Sequence, residues 1–133
     1  MSHTDQEGIV NNISFFTYLE IGRFEYFRSL GLRLADVKRQ GIGMAMVESR
    51  CSFLSPLFFD DVIEISARID RLGNSSFRMK YLVYVPDRDV IAARGQTVSV
   101  FTDPATHTVR PIPDSFRDTV VAYEGAGNIE TAK

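Results

Sequence analysis

The residues best equipped for chemistry come at the start of the chain, in Asp5-Gln6-Glu7-Gly8-Ile9-Val10-Asn11-Asn12, directly ahead of the first long periodic stretch. A carboxylate six or seven residues before a helix, with a glycine turn between, can fold back beside the helix N-terminus. The first backbone N–H groups of a helix lack internal partners and carry the positive end of its dipole. They can therefore hold a developing oxyanion. A carboxylate base or nucleophile with oxyanion donors is the minimum equipment for hydrolysing an activated acyl group. The competing reading gives Asp5 only the task of capping or charging the helix start, a common use of Asp there. Spacing alone is compatible with both.

Other chemistries find little support. Cys51 sits in a strand pattern between Arg50 and Ser52 with no nearby His, which describes a buried, inert thiol. A single cysteine also excludes an intramolecular disulfide framework and fits a reducing, cytoplasmic setting. His3 and His107 have no partner at metal-ligand spacing, so no metal site is expected. Gly41-Ile42-Gly43 is too short for a nucleotide fingerprint, and neither a P-loop nor a nucleophile elbow is present. The 15 basic and 17 acidic residues leave a net charge of −2, without a Lys/Arg run, which argues against nucleic acid as partner. No apolar run approaches the roughly 18 residues of a membrane span, and Met1 to Asp5 does not read as a signal peptide.

The elements that must position the Asp5 segment can be read from periodicity. From about Ser14 to Leu30, Phe16, Leu19, Arg23, Phe27 and Leu30 recur at helical spacing, with Phe15, Ile21 and Phe24 widening the apolar surface. Asn11 or Asn12 can cap its start, and Gly31 stands where a left-handed C-terminal cap belongs. Gly22, costly in a helix interior, points to a close approach by another element. So aromatic a helix is expected to be enclosed on most sides, and Phe16, Tyr18 and Phe58 are candidates for lining an acyl pocket. After a short second helical or irregular stretch, Leu34 to Gln40, the period changes to two. Strands are expected over about Gly43 to Phe53, in the run from Ile63, in the run from Phe77 to Val85, and from Val90 to about Phe101. Gly73-Asn74-Ser75 and Pro86-Asp87-Arg88-Asp89 mark turns. Four strands joined mainly by short turns imply an antiparallel meander with the single long helix on one face. The domain is expected to span residues 1–123, and the polar stretch 124–133 to be a flexible tail.

Several segments resemble, in order and spacing, the hot-dog-fold acyl-CoA thioesterases of the 4-hydroxybenzoyl-CoA thioesterase class. Asp5-x-x-Gly8-Ile9-Val10 resembles their active-site segment, and Tyr26-Phe27-Arg28-Ser29-Leu30-Gly31-Leu32 the end of their central helix. Phe53-Leu54-Ser55-Pro56 and Asp60-Asp61-Val62-Ile63-Glu64-Ile65 resemble the proline turn and the acidic strand start. Ala93 to Phe101, followed by Arg110-Pro111-Ile112-Pro113, resembles the last strand and exit. The likeness covers about Asp5 to Arg117.

It implies an α+β hot-dog fold, an antiparallel β-sheet curled around one long central α-helix, with the first strand short or missing because only Met1 to Thr4 precede Asp5. It implies an acyl-CoA thioesterase yielding a carboxylic acid and free coenzyme A. Asp5 would be nucleophile or general base, with the carbonyl oxygen polarised by backbone N–H groups from Gly8, Ile9, Val10 and Asn11 to Asn12. Many relatives carry His where this chain has Ile9, a departure that bears on substrate more than on reaction. Glu48 is a second-rank catalytic candidate, because some branches use a carboxylate from this strand. Arg50 shares its face, which also fits a salt-bridged edge. Arg71, Ser75 and Ser76, at the turn after the acidic strand, are candidates for the phosphates of coenzyme A, or form a simple turn. No cofactor is implied beyond coenzyme A as part of the substrate. The partners implied are an acyl-CoA or acyl-carrier-protein thioester and further copies of the chain, as homodimer or homotetramer. The alternative is a non-catalytic acyl-CoA or acyl-carrier-protein binding or regulatory module on the same fold.

Overall fold

The stretches of period two form one antiparallel sheet in the computed structural model, which describes residues 12–32, 39 and 41–131 and the side chains of all of these but Asn12 and Ile13. Its long strands are β1 (Gly43–Phe53), β2 (Glu64–Leu72), β3 (Ser76–Val85) and β4 (Val90–Asp103). Alternation decides which side of each is buried. In β3, Phe77, Met79, Tyr81, Val83 and Val85 are all in the core, while Arg78, Lys80, Leu82 and Tyr84 face the other way.

The sheet order is β1-β4-β3-β2, so the expected four-strand meander is only partly realised. β2, β3 and β4 do follow one another, but β1 pairs with β4, from Gly43 opposite Thr102 to Phe53 opposite Ala93. The connection over residues 54–63 is long enough to carry the chain across the sheet, where a tight turn would have forced β1 against β2. Two short strands complete the sheet. β5 (Thr108–Val109) folds back on the end of β4, and β6 (Glu130–Thr131) runs parallel to β2 at Arg71 and Leu72.

The helix α1 (Asn12–Ser29) crosses the buried face. Its end is closed by bonds from Leu32 N–H to the Phe27 carbonyl and from Gly31 N–H to the Arg28 carbonyl, with Gly31 at φ 77°. That is the left-handed termination its glycine promised. A Cβ on Gly22 would lie 2.8 Å from Ile65 Cγ2 and 3.6 Å from Tyr81, so the expected close approach is made, by β2 and β3. On β4, Gly95 leaves room for Leu19: a Cβ there would lie 2.7 Å from both Leu19 δ-carbons. These contacts bring helix and sheet together on one side only. Phe16, Ile21 and Phe24 are each more than 40% exposed, so the helix is not enclosed on most sides within one protomer.

The helical or irregular stretch expected over residues 34–40 lies, but for residue 39, outside the described residues. A further helix, α2 (Asp114–Glu124), not anticipated from the sequence, follows Pro113 and buries Phe116 and Val120. Phe116 joins Phe27, Phe77 and Phe101 in an aromatic cluster beneath the C-terminal end of α1. The stretch expected to fray continues beyond α2 as a helical turn at Ala126–Asn128, the buried Ile129 and β6. Ile129 packs with the core and Glu130 with β2, which holds the chain in place to Thr131. Phe15, Leu57, Val83, Val85, Ala92 and Ala93 form a separate cluster beneath the N-terminal end of α1.

Candidate active site

Asp5, Gly8, Ile9, Val10 and Asn11 lie outside the described residues, as do His3 and any strand ahead of Asp5. Asn12 is the first residue of α1. What the structure displays is the start of α1 and the residues packed beneath it. Phe15 is buried one turn into α1, edge-on to Phe53 at 5.0 Å and to Tyr18 at 5.9 Å. Ser14 is buried beside it. Burial pushes the Tyr18 phenol above its ordinary pKa, which keeps it neutral. The start of α1 is thus seated on an apolar floor, where low polarisability strengthens the attraction between a helix N-terminus and a nearby anion.

The loop over residues 54–63 forms the adjoining wall. Leu54 and Ser55 both donate their N–H to the Ala92 carbonyl, at 2.9 and 3.2 Å, and Leu57 is buried against the floor. Arg88 grips the far side of the loop, its Nη2 2.7 Å and its Nε 3.2 Å from the Asp61 carboxylate, with a further bond to the Pro56 carbonyl. These bonds, and one from Phe58 N–H, hold the Asp61 carboxyl below the usual carboxylate range. The guanidinium also lies 5.2 Å from the centre of the Phe58 ring. A loop fixed in this way keeps Leu54, Phe58, Phe59 and Val62 exposed, an apolar rim beside the start of α1. Of the three residues named above for an acyl pocket, Tyr18 packs against this floor, while Phe16 and Phe58 are exposed.

The remaining candidates are placed elsewhere. Glu48 lies on the sheet face away from α1, where it forms an ion pair with Arg50 at 3.0 Å and accepts a bond from Gln96 Nε2 at 3.0 Å. The β1 register slips between Met46 and Glu48, leaving Val47 as the extra residue. This bulge puts Met46 and Glu48 on opposite faces, although in a regular strand they would share one. Glu48 therefore takes the salt-bridged edge position and is not brought to the α1 N-terminus.

Arg71, Ser75 and Ser76 sit at the β2–β3 turn near the C-terminal end of α1, about 27 Å along the helix from Asn12 at 1.5 Å per residue. Much of this turn's backbone is used internally. The carbonyls of Gly73, Asn74 and Ser75 accept bonds from Arg117, Ile112 N–H and Phe101 N–H. Arg71 lies 3.8 Å from Glu130. Cys51 is partly buried between the two apolar clusters, and burial pushes its thiol up, as expected for an inert cysteine. Among the described residues no three His, Cys, Asp or Glu side chains gather as metal ligands.

One polar residue had a signal in the sequence that was not used: Arg23 occupies a position in the apolar helical series. It lines a cleft of about 180 Å³ between α1 and β1, with Phe24, Phe27 and Met44, and its guanidinium lies 5.6 Å from the Phe24 ring centre. No helix among the described residues is long and apolar enough to cross a membrane.

Comparison with known proteins extends this picture. The family model of the thioesterase-like superfamily matches residues 1–120. The acyl-acyl carrier protein thioesterase ATL3 of the Arabidopsis thaliana chloroplast is 33% identical over 123 residues, 90% of this chain but 62% of that protein. Among solved structures, a thioesterase from Thermus thermophilus complexed with coenzyme A and zinc is 28% identical, with a TM-score of 0.78 over 92% of this chain and 86% of that one. A gentisyl-coenzyme A thioesterase is 26% identical, with a TM-score of 0.76 over 90% and 92%. The sheet and helices described above are therefore those of the hot-dog fold.

Proposed function

From the premise that the chain belongs to the thioesterase-like superfamily and is a thioester hydrolase, we propose that it cleaves acyl-CoA or acyl-carrier-protein thioesters with Asp5 as the reacting carboxylate. The observation that carries this reading is a family match over residues 1–120, a range that takes in both the Asp5 segment and α1, whose start rests on the apolar floor.

In the proposed reaction the thioester carbonyl lies at the α1 N-terminus, its oxygen facing backbone N–H groups from Gly8 to Asn12. Asp5 either attacks the carbonyl carbon, expelling the thiolate and leaving an anhydride that water cleaves, or takes a proton from the water that attacks. Both routes consume one water and release a carboxylic acid and a thiol. The Asp, the helix terminus and the substrate supply every group needed, so no resident cofactor is invoked, and coenzyme A leaves as product. Leu54, Phe58 and Phe59 are apolar and exposed next to this point, which suits them to an acyl chain. The unpaired Cys51 fits a cytoplasmic location.

A homodimer or homotetramer is part of the same proposal. It is supported by the uncovered Phe16, Ile21 and Phe24 of α1, and by Met46 and Val47 on β1, whose outer edge has no strand partner among the described residues. Arg71, Ser75 and Ser76 lie at the opposite end of the protomer from the start of α1. A coenzyme A thioester that touches both would have to extend along about the length of α1 or lie across two protomers.

Release of free thiol from a panel of acyl-CoA and acyl-carrier-protein thioesters tests the reading. Asp5→Asn is expected to lower kcat by roughly 100-fold or more, as removal of an essential base or nucleophile does. Wild-type rates in the substituted protein would refute the role of Asp5. Absence of turnover in the wild type, with binding retained, would favour the non-catalytic module.

A further inference from the structure

The face of the sheet turned away from α1 gathers Arg50, Arg68, Lys80 and Arg94 around one trough, in a chain whose net charge is −2. Strand register sets the pattern. Arg68, Lys80, Gln96 and Arg50 form one row across β2, β3, β4 and β1, and Ser66, Leu82, Arg94 and Ser52 form the next. Together they line a trough of about 590 Å³. Of the acids on this face, Glu48 pairs with Arg50 at 3.0 Å and Asp70 with Arg78 at 2.9 Å, while Glu64, at the start of β2, does not line the trough. Arg68, Lys80 and Arg94 are left without an acidic partner among the described residues. At one side the trough meets a hollow of about 220 Å³ reached by Arg71, whose Nε is buried and donates no hydrogen bond.

Such an arrangement is costly to an empty protein. Arg68 stands directly opposite Lys80, and like charges so placed destabilise a sheet. A second copy laying this same face against it does not relieve the cost, because the two faces would set cations against cations. A ligand rich in anionic oxygen does. The hydroxyls of Ser52 and Ser66 and the Gln96 amide add neutral donors, and Leu82 adds an apolar patch of floor. The four strands of each row span about 14 Å at 4.8 Å per interval, and the volume is that of a small-molecule site. An acidic protein surface would be expected to want a flatter and wider basic field.

We propose that this trough binds a small molecule carrying adjacent phosphoryl groups, of the size of a nucleoside diphosphate, with Arg68, Lys80 and Arg94 as its principal contacts. The sheet lies between this ligand and α1. The site therefore adds to the thioester chemistry proposed above and does not depend on it.

The experiment is calorimetric titration of the full chain with ADP and with inorganic pyrophosphate at low ionic strength. Both should bind. Arg68→Gln, Lys80→Gln and Arg94→Gln should each weaken binding by roughly tenfold, the scale of one lost charge-assisted hydrogen bond. Arg28→Gln, on the exposed end of α1, should leave it unchanged. These are surface substitutions, and circular dichroism checks that each variant folds. Displacement of ADP by free coenzyme A would identify the ligand as the nucleotide end of coenzyme A. Failure of coenzyme A to displace it would identify a separate nucleotide, and both results sustain a phosphoryl site. The proposal is overturned if neither probe binds, if the three substitutions leave binding unaltered, or if poly-glutamate binds more tightly than ADP.

Discussion

Gly95→Ala isolates the contact that seats α1 on the sheet. Ala in place of Gly in a strand should by itself stabilise by roughly 0.5–1 kcal/mol, because less backbone entropy is lost on folding. Here the added Cβ would lie 2.7 Å from Leu19 Cδ1, 2.7 Å from Cδ2 and 3.2 Å from Cγ. Carbon atoms pack best at about 3.5–4.0 Å, so something must yield by about 1 Å. Leu19 is 2% exposed and cannot swing into solvent. Either it leaves its rotamer, at about 0.5–1.5 kcal/mol, or the helix lifts from the sheet, within the roughly 1–3 kcal/mol range of overpacked cores.

The expected net effect is a loss of about 1–2 kcal/mol, opposite in sign to backbone preference. Leu19→Ala alone should cost about 2–5 kcal/mol through the cavity it leaves. In the double variant the new methyl enters that cavity, so the combined loss should fall short of the sum by about 1 kcal/mol or more. Urea unfolding of the four proteins at one protomer concentration measures all three quantities. A Gly95→Ala protein at least as stable as wild type, or strict additivity with Leu19→Ala, would refute the close-contact argument.

Three further outcomes are expected. Asp61 has a folded pKa below its ordinary value, so its ion pair with Arg88 should stabilise fully above about pH 4 and progressively less as pH falls through the folded pKa. Asp61→Asn should accordingly cost about 1 kcal/mol or less at neutral pH, and the gap to wild type should close in acid; a gap independent of pH would contradict the assignment. Phe116→Ala removes a ring 4.9 Å from that of Phe101 and 5.3 Å from that of Phe77, and should cost about 3–5 kcal/mol in denaturant unfolding, whereas a loss below about 1 kcal/mol would mean α2 is not part of the core. Lys80→Gln should stabilise the ligand-free protein by about 0.2–1 kcal/mol, by removing the like charge opposite Arg68, and the gain should shrink in salt; a thermal melt shifted downward would count against it.

Local features were readable from the residues and non-local ones were not. The run from Gly43 to Phe53 alternates well enough that β1 has the bounds expected of it, and Gly31 ends α1 with the positive φ its position implied. The partner of β1 is a different matter. Pairing Gly43 with Thr102 depends on how a whole sheet closes, and no window of one strand contains that information. The side taken by Glu48 was hidden for a related reason: a bulge at Val47 reverses facing, and nothing in Met44-Ala45-Met46-Val47 marks one. α2 was missed because it is short, lies just after Pro111 and Pro113, and draws its stability from Phe116 and Val120 meeting distant rings. For the candidate site, the apolar seat of α1 follows from its aromatic residues. The firm anchoring of the loop over residues 54–63 depends on Arg88, which reaches it from another turn.

The wide separation of paired segments also bears on the order in which this protein is made. The Tyr26 hydroxyl donates to the Glu124 carboxylate at 2.6 Å, and the same carboxylate oxygen accepts the Ile69 N–H at 3.3 Å. Burial and that carboxylate push the Tyr26 phenol far above its usual pKa, so it stays a donor. A chain emerging from the ribosome offers α1 before the sheet, yet its C-terminal half meets α2 only once residue 124 is free. β1 likewise waits for β4, some fifty residues later. Until then the growing chain exposes an aromatic helix and an unpaired strand edge together. The interval during synthesis in which it is most open to aggregation should therefore end only when Glu124 has been released, and a chaperone that shields Phe-rich segments would act in that interval.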